Sequence, residues 1–323
     1  LPPAFILVKL EPSMTLYTVF FNSYGRLRSG WRFLIFLLLF IFFGALFGLA
    51  AHAVLTMLPI GFSPEGLLFL LVNGAISLFL ALGIGWLCGK FLEGLPFRSL
   101  GAALTKYWFK NLCLGLAIGA VSLVVVVGAA MIVGALRFHV NSDYGFAAIL
   151  VTLGVSFAVF AVAAAFEEAL FRGYILQTFS RAGLAWLAII LTSLFFALAH
   201  SRNPGANWIS SLNTAIAGVW FGVAYLKTRD LWLPFGIHFM WNWVQGSIFG
   251  IEVSGLKDIL QATLLQEVDA GPAWLTGANY GIEASLTCTV VLTLCTVFIY
   301  FAPFLKASDE MVELTGREQP NLS

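Results

Sequence analysis

The chain has 323 residues, of which 60% are hydrophobic and 10% charged, with a net charge of +1. A soluble domain carries about a quarter charged residues, so this chain lacks the polar surface to cover a water-facing globule and must use lipid as its solvent. With no basic tract to neutralise phosphates, a nucleic-acid partner is excluded.

A helix crosses the hydrocarbon core with about 20 apolar residues. Runs of this kind lie near 33–58, 66–88, 111–135, 146–170, 184–202, 208–226, 231–250 and 284–304. They predict an all-α polytopic membrane protein, a bundle of about eight transmembrane helices. Arg26, Arg28 and Arg32 precede the first run, and Ala51-His52-Ala53 looks like a signal cleavage site. Phe33 to Leu58 is far longer than the ~7–15 residues of a signal core, however, which favours a retained helix. The chain opens at Leu1, and Met14 is a candidate initiator.

The chain then divides as follows. Residues 1–32 form a cytoplasmic N-terminal segment and 33–140 carry helices one to three. Residues 145–250 carry helices four to seven, where the polar residues gather. Residues 251–283 form an external loop with a short helix expected around Leu256 to Leu265, and 284–323 hold the last helix and a cytoplasmic tail. Basic residues support this threading. One side receives Lys9, Arg26, Arg28, Arg32, Lys90, Arg98, Lys106, Lys110, Arg172, Arg181, Lys227, Arg229, Lys306 and Arg317, the other only Arg137, Arg202 and Lys257. Both termini are therefore expected in the cytoplasm. Cys88, Cys113, Cys288 and Cys295 sit in apolar runs without metal-type spacing and read as buried free thiols.

Ionisable groups within membrane helices are costly and mark function or a paired structural role. Glu167, Glu168, Arg172, His200, Asn213, His238 and Asn242 cluster in the second half of the chain. Glu168 can reach Arg172 one turn ahead on the same face, in the favourable acid-then-base order. Glu167 points elsewhere on the helix and lacks that partner; an unpaired carboxylate in a low-dielectric site suits a general base or acid. If helices four and five turn near Ala182, Glu167 and His200 come within about 5 Å in height on neighbouring antiparallel helices. His238 and Asn242 share a face and could donate to a developing oxyanion, or act as polar glue between helices. Helix–helix hydrogen bonding is the expected role of Asn213, and Gly218 and Gly222 form a GxxxG suited to close packing. His52 and His139 have no polar neighbours at helical spacing and read as structural.

Glu167-Glu168-xxx-Arg172, Phe196-xxx-His200 and His238-xxx-Asn242, in that order on membrane helices, resemble the three motifs of the CPBP family. That family groups type II CAAX prenyl endopeptidases with Abi-like bacteriocin-processing proteins. The likeness covers about residues 145–250, which become a CPBP-like catalytic core. The stretch from Asn22 to Arg32 is similar to the entry of many bacterial members. The resemblance implies an intramembrane endopeptidase of the bacterial inner membrane, with a cavity between helices four to seven opening toward the cytoplasm. Glu167 would activate water with help from His200, His238 and Asn242 would stabilise the oxyanion, and Glu168 and Arg172 would support the site. The substrate would be a peptide or membrane protein in the lipid bilayer.

Zinc is often ascribed to the family. No HExxH is present, although Glu167, His200 and His238 could ligate one divalent ion; a metal-free glutamate–histidine pair accounts for the same residues. Two rival classes remain. A non-catalytic scaffold or bacteriocin-immunity protein would not need the polar residues. A proton-coupled transporter would use them as a relay, but the first half of the chain supplies no matching path.

Overall fold

In a computed structural model, residues 16–57, 66–256 and 260–318 are described. They form α1 (Leu16–Phe20), α2 (Ser29–Met57), α3 (Leu67–Cys88), α4 (Trp108–Ile132), β1 (Leu136–Val140), α5 (Phe146–Glu168), α6 (Leu176–Arg181), α7 (Ala185–His200), α8 (Trp208–Thr228) and α9 (Trp232–Trp243). There follow β2 (Leu265–Asp269), α10 (Ala273–Thr276), α11 (Leu286–Phe301) and α12 (Asp309–Thr315). Met14, Lys9, the Leu58-Pro59 break and Lys257 lie outside the described residues.

The protein is an α-helical polytopic membrane protein, and each of the eight predicted spans corresponds to a helix. Among the described residues, five helical stretches are long and apolar enough to cross a bilayer, including a continuous run from Phe146 to Arg181. That run joins α5 to α6 through a π-helical segment, Ala169–Ile175, which begins immediately after Glu168. α7 and α11 are apolar but only 16 residues long. α2 is apolar around its whole circumference, as expected of a helix whose neighbours are mostly lipid. α8 starts sharply because Asn207 accepts hydrogen bonds from the backbone of Ile209 and Ser210, while the Ser210 hydroxyl accepts one from the Asn207 amide.

A two-stranded antiparallel sheet was not foreseen. β1 pairs with β2, from Leu136 opposite Asp269 to Val140 opposite Leu265. The helix expected around Leu256 to Leu265 is absent from its described part: residues 260–264 are irregular and Leu265 opens β2. The alternating apolar and polar side chains of the β1 segment find a partner strand 125 or more residues away, a pairing that no local pattern announces. The cysteines are all free, but only Cys88 and Cys288 are buried, and Cys113 sits on the exposed surface of α4.

Helix ends sort onto two faces. On one, Glu93 takes Arg181 at 2.6 Å and Arg32 at 2.9 Å, Arg98 pairs with Glu310 at 2.5 Å, and Arg229 donates to the Thr315 carbonyl. On the other lie the β-sheet and the α7–α8, α9–β2 and α10–α11 connections. Of the fourteen basic residues assigned to one side, Lys9 is not described. Arg172 lies in the interior with a 0% exposed side chain. The other twelve lie toward the first face, ten at the surface and Arg32 and Arg181 buried just beneath it, against Arg137 and Arg202 toward the second.

α4 and α9 share the closest contact in the bundle. A Cβ on Gly119 would stand 2.2 Å from the Ile237 carbonyl oxygen, one on Gly115 2.4 Å from that of Leu233, and one on Gly236 2.8 Å from that of Leu112. Small residues thus let the two backbones touch and fix the height of His238, the residue after Ile237. Gly119→Ala is expected to destabilise the protein by about 1–3 kcal/mol through overpacking. Thermal unfolding in detergent checks this. On the α7–α8 contact, a Cβ on Gly218 would meet Ser193 at 2.7 Å, as the GxxxG reading anticipated.

Glu267 on β2 is held protonated to about pH 8, first by burial and then by Glu252 and Asp269. Because the folded state binds this proton more tightly than the unfolded chain, stability falls as pH rises from about 4.5 through 8. Glu267→Gln should remove that slope and stabilise the protein at pH 9 by about 1 kcal/mol after solvent screening. Melting temperatures across the pH range check it.

Candidate active site

Glu167 and Glu168 end α5, and the π-helical segment that follows carries Arg172. Insertions of this kind break the regular spacing of a helix and are frequent at functional sites. Arg172 donates to Glu168 Oε1 at 3.0 Å and to the Gly218 carbonyl at 3.1 Å. Its guanidinium lies 5.0 Å from the ring of Phe196 and 5.1 Å from that of Phe221. The expected Glu168–Arg172 pair is therefore present and fully buried.

His238 adds a contact that helical spacing could not reveal. Its Nδ1 donates to the same Glu168 Oε1 at 2.9 Å, and its ring stacks on Phe221 at 4.8 Å. Its other nitrogen, Nε2, stands 3.7 Å from Glu167 Oε2. Glu167 is thus correctly separated from Arg172, but it is not isolated, because it faces the histidine. The Glu167 carboxylate keeps 22% of its side chain exposed, and its buried Oε2 accepts no hydrogen bond among the described residues.

His200 closes α7. Its Nδ1 donates to the Phe196 carbonyl one turn back at 2.8 Å. A carbonyl can only accept, so Nδ1 carries the proton and the lone pair of the neutral ring is on Nε2. Both histidines are therefore anchored through Nδ1, by a backbone carbonyl in one case and a carboxylate in the other. Glu167, His200, His238 and Asn242 all line one cavity of about 120 Å³ between α5, α7, α8 and α9.

Three groups at this cavity were not singled out from the sequence. Glu283, from the segment before α11, accepts from the Ser254 amide at 2.6 Å and the Ser254 hydroxyl at 2.9 Å. Burial pushes its carboxyl up, with both Ser254 hydrogen bonds pulling against that shift. Ser254 itself holds a left-handed φ of 50°, costly for a residue with a side chain and commonest where function fixes the backbone. Asn203 donates to the Ser254 carbonyl at 2.9 Å, tying the α7–α8 turn to the same point. None of the three belongs to a motif, and nothing in the sequence sets them apart from other polar loop residues. Asn213 does what was expected of it, donating to the carbonyls of Glu283 and Ser285 and so holding α8 to the start of α11.

A catalytic zinc takes three protein ligands. Among the described residues no three His, Cys, Asp or Glu side chains are grouped to hold an ion, so Glu167, His200 and His238 do not form a ready ligand set. His139, read as structural, lies on β1 opposite Gln266, and His52 packs edge-on to Phe69.

No curated protein and no solved structure matches this chain. A family model does match residues 149–244, the stretch that contains Glu167, Glu168, Arg172, His200, His238 and Asn242. Over those residues the chain carries the signature of the type II CAAX prenyl endopeptidase Rce1-like family, the family its three motifs resemble.

Proposed function

We propose that this protein is an intramembrane endopeptidase that hydrolyses a peptide bond with water activated by Glu167 and His200. The observation that carries this reading is the Glu167 carboxylate, without a hydrogen-bond donor on Oε2, facing His238 Nε2 in a cavity that also receives His200 and Asn242.

In this mechanism a water molecule attacks the scissile carbonyl carbon. Its proton passes to Glu167 and then to the departing amine as the carbon–nitrogen bond breaks. His200 Nε2 accepts a hydrogen bond from the same water and orients it. The tetrahedral oxyanion is met by Asn242 and by His238. Because His238 Nδ1 already donates to Glu168, donation from Nε2 requires the ring to carry both protons. Glu167 and Glu168, one on each nitrogen, are placed to balance the charge of that ring. Glu168 and Arg172 thus act by holding His238 rather than by touching substrate. Every step is assigned to this chain's own side chains.

The test is cleavage of a fluorogenic peptide panel by detergent-purified protein, wild type beside Glu167→Ala, each with and without a chelator. The reading expects a cut made by wild type, lost in Glu167→Ala and insensitive to the chelator. Equal activity in both proteins would remove Glu167 from the mechanism, and chelator-sensitive cleavage would return a metal to it.

A further inference from the structure

We infer that the site is reached from the membrane side opposite the basic face, and that its substrate is a peptide segment presented on the non-cytoplasmic side: an exported peptide or an outer loop of a membrane protein. This rests on the peptidase reading for the word substrate, but the side of access stands on geometry and charge alone.

α7 begins at Ala185, next to Arg181 on the basic face, and ends at His200. Sixteen residues of helix carry the chain about 24 Å away from that face. At this height the cavity is lined by Asn203, Ser254, Leu256 and Glu283, all from connections on the opposite face. Asn203, Ser254 and Glu283 are part-exposed and Leu256 is exposed, so this end meets the surroundings.

Toward the basic face the path is closed. Arg172, Trp220, Tyr225 and Leu176 are buried below the site, each with 0% exposure. Beneath them Glu93 gathers Arg32, Arg181 and the Thr178 hydroxyl into a buried ionic layer, which Glu318 completes from the tail. A peptide entering from this side would have to break that layer.

Charge then assigns the faces. Twelve of the described basic residues lie toward one face, ten of them at its surface, and two toward the other, and such a bias marks the cytoplasmic side. The cavity mouth is therefore non-cytoplasmic. The family resemblance implies the reverse, a cavity open to the cytoplasm, and that implication and the charge bias cannot both hold for this arrangement of helices.

Two measurements test the inference. Ser201→Cys, at the mouth, and Lys106→Cys, on the basic face, are exposed to a membrane-impermeant maleimide in sealed right-side-out vesicles, with the four native thiols of the wild type setting the background. Labelling of Ser201→Cys severalfold above background, with Lys106→Cys labelled only after detergent, is expected; the opposite pattern, or equal labelling, overturns the inference. Separately, a charged impermeant fluorogenic peptide is added to right-side-out and to inverted vesicles holding wild type or Glu167→Ala. Cleavage by wild type in right-side-out vesicles is expected, and cleavage confined to inverted vesicles overturns the inference. No cleavage in either orientation or after solubilisation would count against the peptidase reading, and the labelling would then decide the side of access on its own.

Discussion

Arg172→Leu is expected to destabilise the folded protein by about 3–5 kcal/mol, the cost of stranding a buried charge whose partner has been removed. Glu168 and Arg172 are both 0% exposed. Without the guanidinium, Glu168 keeps one donor, His238, and its second oxygen already accepts no hydrogen bond. The Gly218 carbonyl also loses a donor, and two aromatic faces lose the cation above them. Thermal unfolding in detergent followed by circular dichroism measures the loss. The double variant Glu168→Gln/Arg172→Met removes both charges at nearly constant volume and should recover most of the stability. It should stay inactive, because His238 has lost the carboxylate that supports its second proton. Recovery of stability without recovery of activity separates the fold from the chemistry in a single pair of proteins.

The second large effect is catalytic. Glu167→Gln should lower peptide cleavage by roughly 10²–10⁴-fold, the usual contribution of a general acid–base. Its stability should change little, because the carboxylate is 22% exposed and forms no hydrogen bond through Oε2. Asn242→Ala should cost about 10²–10³-fold, as removal of one oxyanion donor does. Steady-state kinetics on one peptide compares the two. If both variants cleaved at the wild-type rate, Glu167 and Asn242 would drop out of the mechanism and their role would be structural.

The helices were legible because lipid imposes a one-dimensional rule: a span must be long, apolar and hydrogen-bonded within itself. Eight runs read from the sequence met eight helices, with ends displaced by a few residues; α9 is the shortest, continued by the π-helical segment Val244–Ile248. The site was legible for a related reason. Charged and strongly polar groups in spans are so costly that Glu167, Glu168, Arg172, His200, His238 and Asn242 stand out against the apolar residues around them.

What stayed hidden depends on contacts between distant segments. The bond from His238 to Glu168 spans 70 residues, the β1–β2 pairing about 130, and the Ser254–Glu283 contact 29. Helical spacing could separate Glu167 from Arg172, but it could not foresee that α9 would bring an imidazole between the two glutamates. The Gly115 and Gly119 approach to α9 was equally silent, since glycines are common in apolar helices and only the backbone of the partner gives them meaning. Polar residues in loops, such as Asn203 and Glu283, carry no signal at all when every loop is polar.

The most direct test of hydrolysis at this cavity is mass spectrometry of peptide fragments formed by the purified protein in ¹⁸O-labelled water, wild type beside Glu167→Gln. The account predicts that wild type releases fragments whose new C-terminal carboxylate carries one labelled oxygen, and that the variant releases none. Fragments in equal amount from both proteins, or a wild-type cut without the label, would contradict it.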